Sequence, residues 1–216
     1  MTQTSIATSA DYADALLVAR RGKHLIFLLL LLMLLAQIAV FLVARYSDGF
    51  LPAVSDAASA TTSPTTAPAR SVIAANYFTG AMTFFGMILP ILLAFDLLLI
   101  VNIMLVGRLL GLARTTSAFL WCLLLMLLMF PVQSFFGGTT DPTDFRLPGL
   151  IYTWDELVRY AKFSTSNPLY AFTKWARFLI FPLAALVLLV VVQIKSNRGL
   201  RQALGEAQPD YARDLS

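Results

Sequence analysis

Four long apolar segments constrain the fold of this chain more than any other feature. They cover approximately residues 25–43, 81–107, 118–132 and 178–194. Hydrophobic residues make up 58% of the 216 positions and charged residues only 13%, whereas a soluble domain is about 25% charged. A helix of about 17–25 apolar residues crosses the hydrocarbon core of a bilayer. The third segment reaches that length when the polar residues that flank it lie at the two interfaces.

The fold that we predict is all-α: a polytopic membrane protein with four transmembrane helices and a short interfacial helix in the second extracytoplasmic loop. The predicted spans are residues 25–44, 78–107, 116–136 and 174–194. The connecting segments are an N-terminal segment (1–24), a Ser/Thr/Pro/Ala-rich linker (45–77), a short turn (108–115), a loop (137–173) and a C-terminal tail (195–216).

Local sequence signals refine the ends of these segments. Ser9 is placed to begin a helical lead-in to the first span, with acidic residues early and basic residues late, the order that a helix dipole favours. The pattern Thr153-Trp-Asp-Glu156 is a capping box, and it predicts the interfacial helix over residues 154–163. Pro168 is suited to the first turn of the last helix.

The distribution of lysine and arginine predicts the orientation. Basic residues are packed into the short flanks at both chain ends and into the 108–115 turn, whereas the other basic residues lie mostly in the two long loops. Because basic flanks stay on the cytoplasmic side, we predict a multi-pass protein of the plasma or inner membrane with both termini cytoplasmic. The lipid bilayer is then its first partner. The basic residues form no stripe interleaved with aromatics, so nucleic acid is not expected as a partner.

The supply of reactive side chains argues against several classes of function. His24 is the only histidine and Cys122 the only cysteine, too few for a zinc site of the usual His/Cys type or for a haem held by two histidines. The chain has no P-loop, dinucleotide-binding or nucleophile-elbow pattern. We therefore expect no cofactor, no metal and no enzymatic activity.

Asp96 is the most unusual residue, because it stands inside a segment that is otherwise almost wholly apolar. A carboxylate within the membrane costs roughly 2.5–3.5 kcal/mol on insertion scales. Asp96 lies twelve residues from Arg108, and Gln37 lies thirteen residues from His24, so the two are expected at the same depth, about 18 Å in. We predict that Asp96 and Gln37 form an intramembrane polar site. No Lys or Arg is expected at that depth, so a protonated Asp96 is favoured.

Pro90 adds a predicted kink beside this site, because proline removes the hydrogen bond to the carbonyl of Gly86. Three interpretations of Asp96 remain open. It forms a buried hydrogen bond that fixes helix packing, it binds a proton or cation, or it contacts a partner subunit.

Two functions follow as hypotheses. The first is a non-enzymatic subunit, scaffold or assembly partner of a membrane complex, acting with a protein partner or as a homo-oligomer. The grounds are the missing catalytic set, the missing soluble domain and an aromatic outer loop. The second is a small proton- or ion-coupled carrier that uses Asp96, with Gln37 and the Pro90 kink shaping its site.

Overall fold

The computed structural model describes residues 9–46, 70–130, 157 and 168–206, and these residues are almost entirely helical. The helices are α1 (Ser9–Tyr46), α2 (Arg70–Val106), α3 (Leu112–Met129), α4 (Pro168–Trp175) and α5 (Phe181–Ala203), with a π-helical turn (Ala176–Ile180) joining α4 to α5. Four helical stretches are long and apolar enough to cross a membrane, α4 to α5 counting as one. The predicted all-α class with four spans is confirmed, and the chain is a multi-pass membrane protein.

The helices extend beyond the apolar segments that predicted them. α1 begins at Ser9, as predicted for the helical lead-in to the first span, and α2 begins at Arg70, so the predicted linker ends earlier than residue 77. Apolar composition marks only the part of a helix that can enter lipid, whereas backbone hydrogen bonding continues until a helix breaker intervenes. Pro168 begins the last helical stretch, as predicted.

Part of the prediction falls outside the described residues. This is true of positions 47–69 of the linker and of the interfacial helix over residues 154–163, except for Leu157. That one residue is helical and fully buried. The interfacial helix is therefore not confirmed.

Buried positions in α1 and α3 recur mainly at intervals of three and four residues. Seven-residue spacing is typical of helices that pack side chains into nearly parallel neighbours. In α3 the buried positions are Thr115, Ala118, Cys122, Leu125 and Met129. In α1 one row of this repeat comprises Leu16, Lys23, Leu30, Gln37 and Ala44. Two polar residues thus occupy positions that the repeat directs inward.

The described residues divide into two compact units. The first unit comprises Met1–Leu30, Leu89–Leu127 and Val187–Ser216, and the second comprises Leu31–Ile88 and Leu128–Leu186, so far as these ranges are described. In the first unit, α1 and α2 run antiparallel. A Cβ placed on Gly107 would lie 3.4 Å from Cγ of Tyr12, and one placed on Gly22 would lie 3.7 Å from Oδ1 of Asp96. These two approaches define the register of the pair.

The turn between α2 and α3 closes α2 with a Schellman motif. The Leu109 N–H donates to the Met104 carbonyl at 2.9 Å, and the Arg108 N–H donates to the Leu105 carbonyl at 3.3 Å. Arg108 occupies the left-handed position, with φ of 50°. Gly111 follows with φ of 88°, and a Cβ there would lie 2.5 Å from the carbonyl oxygen of Gly199. The turn therefore brings the start of α3 into backbone contact with α5.

The second unit has an aromatic core. The rings of Phe41 and Phe178 stack with centroids 5.0 Å apart, and Trp175 meets Phe41 edge to face at 5.8 Å. Ala44 and Leu157 complete the fully buried set. Phe178 lies in the π-helical turn, where the Phe181 N–H donates to the Ala176 carbonyl five residues back. The ring of Pro182 would clash with the carbonyl of Phe178, four residues earlier, in a regular α-helix. The wider π-helical turn makes room for this ring.

A polar layer around Lys23 as candidate functional site

Lys23 is the centre of a polar cluster in the first unit. Its side chain is fully buried, with 0% exposure. The ammonium donates hydrogen bonds to Oγ of Ser196 at 2.8 Å and to Oδ1 of Asn197 at 2.6 Å. Ser196 in turn donates to the Gln193 carbonyl at 3.2 Å. A charge removed from water needs such partners, because an isolated buried ion is far more costly than a paired one.

Asp96 supplies the opposite charge to this cluster. α2 places its Oδ1 beside Gly22, one residue from Lys23 in α1, and the Asp96 carboxylate and the Lys23 ammonium lie within electrostatic range of each other. Oδ2 of Asp96 is buried and has no hydrogen-bond partner among the described residues. A buried acceptor of this kind calls for an explanation, such as a bound proton, water or ion.

Two further contacts lie at the same level of the first unit. Nε2 of Gln193 donates to Nδ1 of His24 at 2.7 Å, and Lys195 donates to Oγ of Ser117 at 3.0 Å. We call this set of side chains the polar layer. It consists of Lys23, His24, Asp96, Ser117, Gln193, Lys195, Ser196 and Asn197. Every helix except α4 contributes to it, so it ties α1, α2, α3 and α5 together.

The predicted juxtaposition of Asp96 with Gln37 is wrong. Asp96 lies beside Gly22, and fifteen residues of α1 separate Gly22 from Gln37, about 22 Å at the helical rise. The expectation that no Lys or Arg lies at the depth of Asp96 is also wrong, because Lys23 does. The error came from taking His24 as the point level with Arg108. In the structure Tyr12 is level with Gly107, about three turns earlier in α1.

The structure places Gln37 and Pro90 at buried positions inside helices. Gln37 is buried, with 4% exposure, and lies in the second unit. Pro90 is buried inside α2, and the helix continues through it to Val106. The kink at Pro90 stays a prediction.

Lys23 is the residue that the sequence analysis missed. Its signal was present: Lys23 stands seven residues after Leu16 and seven before Leu30, so it shares the inward face of α1. Among the described histidine, cysteine, aspartate and glutamate side chains, no three or more form a group able to hold a metal ion. The chemistry of the layer is therefore that of the Lys23 and Lys195 ammonium groups, the His24 imidazole, the Asp96 carboxylate and neutral hydrogen-bonding groups.

Comparison with known proteins adds no family to this description. No protein-family model matches the chain, and no curated protein and no solved structure is significantly similar to it.

Proposed function

We propose that this protein is a non-enzymatic subunit or assembly partner of a membrane complex, and that it binds its partner protein through the charged end of the first unit. We define the charged end as residues 11–24 of α1, 96–106 of α2 and 195–203 of α5. The observation that carries the proposal is an apolar face of α2 that is exposed within this charged end.

The charges determine which part of the first unit can enter lipid. At the charged end, α1 carries five charged side chains and α5 carries three: Asp11, Asp14, Arg20, Arg21 and Lys23, and Lys195, Arg198 and Arg201. Each would cost roughly 2.5–3.5 kcal/mol at the bilayer centre. The polar layer therefore fits the boundary of the hydrocarbon, and the charged end projects beyond it.

α2 is nevertheless largely apolar within the charged end, where its polar residues are Asp96 and Asn102. Four apolar side chains of α2 are exposed there, at 39–68%, and the polar Asn102 is exposed among them on the same face. The four apolar side chains are spaced by one and seven residues and so lie on one helix face, which we call the α2 stripe: Leu98, Leu99, Leu105 and Val106. An exposed apolar face in water marks a contact surface. A partner that covers the α2 stripe would remove these apolar side chains from water, which is energetically favourable.

The charge of the first unit favours a different protein over a second copy as that partner. The described residues of this unit hold eight basic and four acidic side chains, a net charge of +4. Two copies meeting at this end would repel each other, whereas an apolar helix flanked by acidic residues would be attracted. We therefore assign the α2 stripe to a partner helix of that kind.

A cross-linking experiment tests this proposal. A photoreactive amino acid at position 105 in native membranes should give a discrete protein adduct, and the same group at Leu127 in α3, also exposed, should give lipid adducts. The paired substitution Leu98→Ser and Leu105→Ser should abolish co-purification of the captured protein, whereas Leu127→Ser should not. Lipid adducts alone at position 105, with a monodisperse single chain in gentle detergent, would overturn the proposal.

The unpaired Oδ2 of Asp96 favours a second candidate, a proton- or ion-coupled carrier. In this alternative Asp96 binds and releases a proton, and the Lys23 ammonium balances the charge of the Asp96 carboxylate. Lys23 thus takes the place that was predicted for Gln37. The test is dissipation of a pH gradient in proteoliposomes that contain a pH-sensitive dye. Asp96→Asn should abolish proton flux and leave membrane insertion intact, and Gln37→Leu serves as the control. Flux that persists in Asp96→Asn would rule the carrier out.

A further inference from the structure

Lys195, in the polar layer, forms a separate set of contacts that the proposed function does not use. Its ammonium donates to Ser117 Oγ at 3.0 Å and lies 6.0 Å from the ring centroid of Trp121. Ser117 and Trp121 are four residues apart on α3 and so lie on the same face of that helix. One hydrogen bond leaves two N–H donors of the ammonium for another acceptor.

Arg198 stands three residues after Lys195 and is exposed. Neither cation forms an ion pair within the described part of the chain. This distinguishes them from Arg20 and Arg201, which pair with Glu206 at 3.2 Å and 3.7 Å. Among the described residues, Lys195 and Arg198 therefore present two positive charges without an acidic partner on one side of α5.

Exposed apolar side chains lead away from this pair of cations, on the side opposite to the charged end. On α5 they are Val187, Val190 and Ile194, at 37–62% exposure, and on α3 Trp121 and Leu124 are exposed at 38% and 45%. Their spacing gives each helix a continuous apolar face. Tryptophan prefers the level of the lipid headgroups, so Trp121 marks the height of the bilayer surface beside Lys195.

We propose that Lys195 and Arg198 bind the phosphate of an anionic membrane lipid, with Ser117 orienting Lys195 and Trp121 packing against the upper part of the lipid. The acyl chains follow the apolar faces of α3 and α5. A basic pair at the membrane surface recognises anionic lipid headgroups, and the adjacent apolar faces distinguish a lipid from a soluble anion. This site does not depend on the α2 stripe or on the proposed partner.

Fluorescence quenching at Trp121 tests the proposal at the site itself. In a chain that keeps Trp121 and carries Trp154→Phe and Trp175→Phe, brominated phosphatidylglycerol in nanodiscs should quench the emission more than brominated phosphatidylcholine. Lys195→Gln should reduce this preference about fivefold, and Lys195→Arg should retain it. Arg21→Gln removes the same charge from the same end of the first unit and should leave the preference unchanged.

Native mass spectrometry of the chain with all three tryptophans provides a second measurement, in case the single-tryptophan chain does not fold. Phosphatidylglycerol should remain bound through detergent removal, and less of it should remain on Lys195→Gln. Three results would overturn the site: equal quenching by the two lipids, an equal loss of preference in Arg21→Gln, or displacement of the lipid by excess inorganic phosphate. The last would indicate a soluble anion as the ligand.

Discussion

The ammonium of Lys23 in α1 donates a hydrogen bond of 2.8 Å to the hydroxyl of Ser196 in α5. Lysine is among the residues least often found fully buried, and this one has no exposed surface. Its position is maintained by the inward-facing repeat of α1 and by Asn197 and Asp96, which surround the charge. Stability and any ion chemistry of the polar layer therefore depend on the same side chain.

Replacing Lys23 with methionine should lower the free energy of unfolding by about 2–4 kcal/mol. Methionine keeps the volume but leaves the Asp96 carboxylate without its cation and Asn197 Oδ1 without its donor. Unfolding in mixed micelles measures the change. The double variant Lys23→Met with Asp96→Asn should be less destabilised than the sum of the single changes, by roughly 0.5–3 kcal/mol. Additive effects would show that the two charges are not coupled, and Arg21→Met, at an exposed position, should have little effect.

Cysteine labelling should place the polar layer at the edge of the hydrocarbon. In a Cys122→Ala background, single cysteines at positions 98 and 105 should react with a membrane-impermeant maleimide in proteoliposomes that expose the charged end. Cysteines at Leu32 and Leu127 should remain unlabelled, because lipid surrounds those positions. If position 98 is protected to the same degree as position 127 in partner-free liposomes, then Asp96 lies within the membrane and the carrier becomes the better explanation.

The contact between α3 and α5 should not tolerate a side chain at residue 199. A Cβ on Gly199 would collide with Oγ1 of Thr115 and lie 3.1 Å from the Thr115 nitrogen. Overpacking of this kind costs about 1–3 kcal/mol, so Gly199→Ala should lower the thermal stability in detergent. Thr115→Ala should restore part of the loss.

Gly80 is the matched control, because a Cβ there meets nothing within 4 Å. Gly80→Ala should be neutral or stabilising by up to about 1 kcal/mol through helix propensity. Equal effects of alanine at positions 80 and 199 would contradict the close approach of α3 and α5.

Arg108 offers a test of the turn between α2 and α3. Its φ of 50° is left-handed, a conformation that costs an L-residue roughly 1–2 kcal/mol and glycine almost nothing. Arg108→Gly should therefore be more stable than Arg108→Ala by about 1 kcal/mol, as measured by thermal unfolding in one detergent. Both variants lose the same charge, so the difference reports the backbone alone. A more stable alanine variant would be inconsistent with the Schellman motif.

The sequence was sufficient to predict the class of fold, because the ability of a helix to cross a membrane depends on the length and composition of that segment alone. The four apolar segments were predicted on this basis, and the helical start at Pro168 was predicted from the preference of proline for the first turn of a helix. The helical lead-in from Ser9 was predicted too. Its effect on which residues of α1 lie at the depth of Asp96 was not predicted. Composition located the span at residue 25, whereas α1 begins at Ser9.

The tertiary structure decided which polar residues meet. The axial position of α1 against α2 depends on the contacts of Gly22 with Asp96 and of Tyr12 with Gly107, and counting inward from a charged residue on each helix cannot reveal such a register. The observed position of α1 against α2 differs from the predicted one by about three helical turns. For this reason Lys23, and not Gln37, is the neighbour of Asp96. The inward face of α1 could be inferred from its seven-residue repeat. The partner that this face meets arises from packing between segments distant in the chain, and only the folded structure contains that information.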